Sequence, residues 1–134
     1  MFDALDMGAS ALTAQRIRMD TIAGNIANIN TLRDAQGKPN PYRRRFVVFE
    51  PGQADDPSKP GVHVSSVQED QSAFPRRYDP GNPDADKQGY VSLPNVDLAI
   101  EMVNSLEASR AYEANVTMMD TAKSMINSSL RLLA

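Results

Sequence analysis

The chain has 134 residues, of which 41% are hydrophobic and 6% aromatic, with no tryptophan. That composition supplies helix seams and is thin for a large globular core. A net charge of -3 favours neither nucleic acid nor an anionic membrane, and the absence of cysteine excludes disulfides, thiolate metal sites and cysteine nucleophiles.

The opening residues Met1 to Asp6 carry Asp3 and Asp6 where a secretory signal wants Lys or Arg, and no apolar core follows them. No stretch approaches the roughly 20 apolar residues that a membrane span requires. All nine prolines fall between Pro39 and Pro94, so both ends lack the residue that most strongly breaks helices. Three segments follow: an N-terminal helix within 1–31, a Pro-rich insert at 32–95, and a C-terminal helix within 96–134.

The first helix is expected over about residues 3 to 29, with Asp3 as its N-cap. Leu5, Leu12, Met19 and Ile26 recur every seven residues, and Gly8, Gln15, Ile22 and Ile29 follow three positions later. This is an a/d stripe, interrupted at Gly8 and Gln15. The side chains of Asn25, Asn28, Asn30 and Thr31 compete with helical backbone bonds and favour an end there.

The insert holds two strand candidates, Arg45 to Phe49 and Val62 to Val67, among turn-rich arms. A small β-hairpin with loop-rich flanks is expected. Its basic clusters, Arg43-Arg44-Arg45 and Arg76-Arg77, lie near Tyr42, Phe46, Phe49 and Tyr78 and imitate a nucleic-acid patch. Since acids outnumber bases 17 to 14, pairing with acids of loops or adjacent subunits is the stronger reading, and outward contacts are assigned to Arg43, Arg44, Arg45, Phe46, Phe49, Arg76 and Arg77. The acids Asp55-Asp56, Glu69-Asp70, Asp79, Asp84 and Asp86 sit in solvated loops, where nothing separates the pKa values of a catalytic pair and no cation-loop spacing is met. The lone His63 cannot build a multi-histidine metal site or a hydrolytic triad within one chain. No enzyme, no cofactor and no metal site is expected.

The last segment has Asp97 near its start and is rich in helix formers. Leu98, Ser105, Tyr112, Met119, Ile126 and Leu133 form one seven-residue series. Met102, Ser109, Val116, Lys123 and Leu130 form a companion. Roughly 38 residues at 1.5 Å each would span about 57 Å, too long for a compact domain of this size. The fold expected is mainly α, two long terminal helices packed as an α-helical coiled coil around a small β insert. The interface residues are Leu5, Leu12, Met19, Ile22, Ile26, Ile29, Leu98, Met102, Tyr112, Val116, Met119, Ile126, Leu130 and Leu133. The second stripe outruns the first by about ten residues, and Ile100, Val103 and Leu106 add apolar surface on another side. Intermolecular contact is needed to cover both.

Two stretches carry a family likeness. One is Asn25-Ile26-Ala27-Asn28-Ile29-Asn30-Thr31. The other runs from Tyr78-Asp79-Pro80-Gly81-Asn82-Pro83-Asp84-Ala85-Asp86 through Gly89-Tyr90-Val91, Pro94-Asn95-Val96 and Glu101-Met102-Val103 to Ser109-Arg110-Ala111-Tyr112-Glu113-Ala114-Asn115. Together they resemble the rod and hook axial proteins of the bacterial flagellum, and among these the proximal-rod members, with Asn82 standing where that pattern has histidine. The resemblance implies a structural subunit of a helical periplasmic assembly that transmits torque from motor to hook. It also implies export through the flagellar type III apparatus without a cleavable signal. Partners would be copies of the chain, other proximal-rod proteins, the rod-base adaptor and the distal rod. The competing class is an adaptor or export chaperone that uses the same seams in a small closed oligomer.

Overall fold

The computed structural model describes residues 2–134. Helix α1 spans Phe2–Ala27 and helix α2 spans Leu98–Leu133. Between them come strands β1 (Arg45–Pro51), β2 (Val62–Glu69), β3 (Arg76–Tyr78) and β4 (Tyr90–Ser92). Asp3 falls inside the first turn of α1 rather than capping it. Asp97 is the true cap of α2, its carboxylate accepting from the amides of Ala99 at 2.9 Å and Ile100 at 3.3 Å.

The expectation of a mainly α coiled-coil fold is overturned. The helices hold 26 and 36 of the 134 residues, under half of the chain, and the insert forms two antiparallel two-stranded sheets rather than one hairpin. The second sheet escapes periodicity because each of its strands is only three residues long. Turn chemistry holds it instead. The Asp86 carboxylate accepts from the amides of Gln88 and Tyr90, both at 2.9 Å, and Gly89 turns the chain at φ +81°.

Nor is the helix pair a two-sided zipper. Helix α1 lies between α2 and the β1–β2 sheet. Its Gly8, Gln15, Met19 and Ile22 stripe meets α2, while Ser10 on another side accepts from the Val62 amide at 3.2 Å. The helices run antiparallel. Met19 meets Ser109 with 3.7 Å between Sδ and Oγ, Arg18 pairs with Glu107 at 3.4 Å, and Gly8 lies under Met119. The stripe of α2 turned to α1 contains Glu101, Ala108 and Ala122, all buried, with Ser105, Tyr112, Met119 and Ile126 half-buried beside them. Small residues let the backbones approach. A Cβ on Gly8 would come within 2.5 Å of the Met119 Cγ. The Gln15 side-chain oxygen is buried there without a hydrogen-bond partner among the described residues, a weak point of the seam.

At the other end of α1 the three segments are tied by polar groups. Asn25 and Glu101 are both fully buried. The Asn25 amide nitrogen donates to the Arg45 carbonyl at 2.7 Å and to Glu101 Oε2 at 3.3 Å. Its oxygen accepts from the Arg45 amide at 2.9 Å and the Tyr42 hydroxyl at 3.0 Å. Arg44 pairs through Nε with the other oxygen of Glu101 and lies 3.5 Å from Asp70. The Arg44 amide donates to Asn95 at 2.7 Å, and Asn95 in turn donates to the carbonyls of Asp70 and Ser72. Each polar group in this cluster therefore has a partner, which is the condition under which burying it is tolerated.

Replacing Asn25 by Ala would strand several of those partners, and a loss of about 3 kcal/mol is expected from chemical unfolding of the purified chain. Gly8→Val should lower stability by about 1–2 kcal/mol through overpacking, and adding Met119→Ala should return part of that loss. The carboxyls of Asp70 and Asp86 are both held below the ordinary 3.8, by the Ser72 amide and hydroxyl in the first case and the Tyr90 amide in the second. Because the folded value is the lower one, this contribution is present above the ordinary value and lost as pH falls through the shifted one. Tyrosine fluorescence from Tyr78 and Tyr90 should therefore stay native in mild acid and change only below about pH 4.

Candidate assembly interface

Most of the basic residues assigned to outward contacts are engaged inside the insert. Arg43 donates to the carbonyls of Asp70 at 2.9 Å and Ser72 at 3.2 Å, with its guanidinium 4.3 Å from the Phe74 ring centre. Arg44 belongs to the Glu101 cluster. Arg76 pairs with Asp86 at 2.5 Å and lies over Tyr90, whose ring meets Tyr78 edge-on at 5.3 Å. Arg45, Arg77 and Phe49 are exposed, and Phe46 is half-buried. A groove of about 420 Å³ between α1, β1 and α2 is lined by Arg18, Arg44 and Arg45. Since Arg18 and Arg44 already face Glu107 and Glu101, the groove presents little free positive charge.

The apolar residues divide differently. On α1, Ile22 is buried, and Leu5, Leu12, Met19 and Ile26 are half-buried, as is Ile29 just past the helix end. On α2, Tyr112, Met119 and Ile126 are half-buried on the side of α1. Leu98, Met102, Val116, Leu130 and Leu133 are exposed, as are Ile100, Val103 and Leu106. A Met or Leu scattered on a surface needs no explanation, but a helix that bares this many large apolar side chains along its length does.

Sequence reasoning missed three residues at the centre of the structure. Glu101 is the one acid on the α1-facing stripe of α2, a position where a helical pattern alone expects an apolar group. The sequence marks Asn25 as a helix-ending residue and as part of the family likeness, with no sign of its burial. Asn95 stands out in the sequence as a residue ahead of the C-terminal helix and in the family likeness, whereas its contacts depend on the path of the insert. The loop around Asn82 closes on itself. The Asn82 side chain donates to Asp79 at 3.3 Å and accepts from the Asp84 amide at 2.9 Å, while Asp84 binds Arg33 at 2.7 Å. Among the described residues, no group of acids and histidine is arranged to hold a metal ion, and no helix is long and apolar enough to cross a membrane.

Comparison with known proteins places this architecture. Residues 5–33 match the flagella basal body rod protein family, and residues 87–132 match the C-terminal region of the flagellar basal body rod FlgEFG proteins. Three relatives bear the name flagellar basal-body rod protein FlgC. That of Borreliella burgdorferi is 41% identical, over 99% of this chain and 97% of the relative. Those of Escherichia coli and Bacillus subtilis are 43% and 42% identical, each over 98% of this chain and 97% of the relative. Two terminal helices joined through a buried polar cluster, with an apolar outer face left bare, are the build of a subunit rather than of a free-standing domain. The chain belongs to the flagellar basal-body rod protein family and is a structural subunit of the rod.

Proposed function

We propose that this subunit polymerises helically in the proximal part of the rod, with copies of itself and with other rod proteins, and so carries torque from the motor towards the hook. The observation that supports this most directly is the bare apolar surface of α2. Leu98, Met102, Val116, Leu130 and Leu133 lie on a helix that is ten residues longer than its intramolecular partner, 36 against 26. Leu132 and Leu133 near its end are 88% and 86% exposed, and contact with neighbours removes such surface from water. Torsion is resisted better by many shallow contacts than by one deep site, and heterologous contacts between like subunits build a helix when the rotation does not close.

On this reading the insert, with Arg45, Phe49 and Arg77 exposed, meets neighbours on the outside. The rod-base adaptor and the distal rod protein are partners at the two ends of the proximal rod. The subunit works in the periplasm, which it reaches through the flagellar type III export apparatus. Its role is mechanical rather than catalytic. The carboxylates that could suggest an active site serve instead as turn caps and ion-pair partners.

Ile126→Asp places a charge where the stripe of α2 leaves α1. Cells carrying it should lack complete rods and lose motility while still exporting the variant, measured by basal-body microscopy and by the protein recovered outside the cytoplasm. Swimming cells that carry this change would sink the assignment of the seam.

A further inference from the structure

Polar groups tie α1 to α2 at one end of the pair only. Arg18 pairs with Glu107, and the Ser109 hydroxyl donates to the Met19 sulfur at 3.7 Å, with the Asn25–Glu101 contact beyond them. Among the described residues, no hydrogen bond or ion pair joins the two helices on the N-terminal side of Arg18. There the contact is apolar. Leu5 and Ile126 are half-buried, Ala122 is buried, and Met119 lies across Gly8.

The Met119 contact leaves no spare room. A Cβ on Gly8 would sit 2.5 Å from Met119 Cγ, 2.9 Å from its sulfur and 3.0 Å from the Met118 methyl carbon. The sulfur therefore rests against bare helical backbone, whose amides and carbonyls are taken up by the helix itself. Met19, the other thioether of the seam, is placed differently. Its sulfur receives the Ser109 hydroxyl, the one hydrogen bond to sulfur among the described residues, so an oxygen added there would find a donor at hand. An oxygen added to Met119 would meet the Gly8 backbone in place of a donor, and both the crowding and the unanswered acceptor oppose it.

We propose that Met119 is a redox-sensitive joint of the helix pair, closed as the thioether and opened by oxidation to the sulfoxide. With a peroxide as oxidant, a sulfur lone pair attacks one peroxide oxygen. The S–O bond forms as the O–O bond breaks, and the other oxygen takes up the proton and, from hydrogen peroxide, leaves as water. Sulfur gives up two electrons to the peroxide, and a flexible apolar side chain becomes a polar one. The sulfoxide fits neither the space nor the polarity over Gly8, so the side chain swings outward and leaves a void between the helices. The first turns of α1 then part from α2, while the polar end of the pair stays closed. Met7, Met102, Met118 and Met125 are exposed, so oxygen on them points into water and leaves the seam intact.

The full chain, treated with hydrogen peroxide and mapped by mass spectrometry, should carry the sulfoxide at Met119 as well as at the exposed methionines. Its melting temperature should fall by about 5 °C. Amide exchange over residues 6–12 should speed up by about tenfold, with residues 18–27 unchanged. Methionine sulfoxide reductase should reverse both changes. Met119→Leu keeps an apolar side chain of similar volume and should show neither change after the same treatment. Met119→Gln sets a polar group over Gly8 and should reproduce the faster exchange without peroxide. Loss of stability in the oxidised Met119→Leu chain equal to that of the parent would overturn the proposal. So would a Met119 that stays reduced in the folded chain while Met102 and Met125 are oxidised.

Discussion

A buried carboxylate is a liability unless each of its oxygens finds a donor, because removing an unpaired charge from water costs several kcal/mol. Glu101 meets that condition by drawing on both other segments of the chain, Asn25 from α1 and Arg44 from the insert. Neither partner is spare, since Asn25 also holds both backbone polar groups of Arg45 and the Arg44 amide is fixed to Asn95. The insert thus enters its first strand at one defined place beside the helix pair. The polar cluster reinforces the register that the Gly8–Met119 contact also fits, and a register role is the best-attested use of buried polar groups.

Much of the frame was legible in the residues. Confinement of proline to the middle marked both helices, and the β-branched and aromatic residues of Arg45 to Phe49 and Val62 to Val67 marked β1 and β2. The stripe of α1 was legible because Leu5, Leu12, Met19, Ile22 and Ile26 are large and apolar. The matching stripe of α2 was only half legible, since Glu101, Ala108, Asn115 and Ala122 are small or polar and a hydrophobic template passes over them. The more apolar companion series, Met102, Val116 and Leu130, is exposed. Strands β3 and β4 were illegible for another reason: their pairing follows from the closure of the Asp79 to Gly89 loop, a matter of turn geometry rather than of periodicity. The glutamate at the centre could not be found from the sequence pattern, because its burial depends on two partners far along the chain.

The layering of the molecule accounts for its unequal surfaces. Helix α1 is covered on one side by α2 and on another by the β1–β2 sheet, which leaves it few large apolar groups to offer. Helix α2 has one covered side only. A rod subunit built this way keeps its internal geometry in α1 and the insert and exposes α2 to its surroundings. On the assembly proposed above, stability of the single subunit and attachment to others fall to different faces, so a change on the outer face of α2 would weaken the second with little effect on the first.

The separation in sequence of the groups around Glu101 has a consequence for the order in which the chain folds. Asn25 and Glu101 are 76 residues apart, and Arg44 is 57 from Glu101. A chain released N-terminus first would have α1, both sheets and the first three-quarters of its length free before the residue that locks them emerges. Until then Asn25 has no carboxylate to meet. The lock closes only after about three-quarters of the chain is present, so the geometry of the early segments is fixed by a late one.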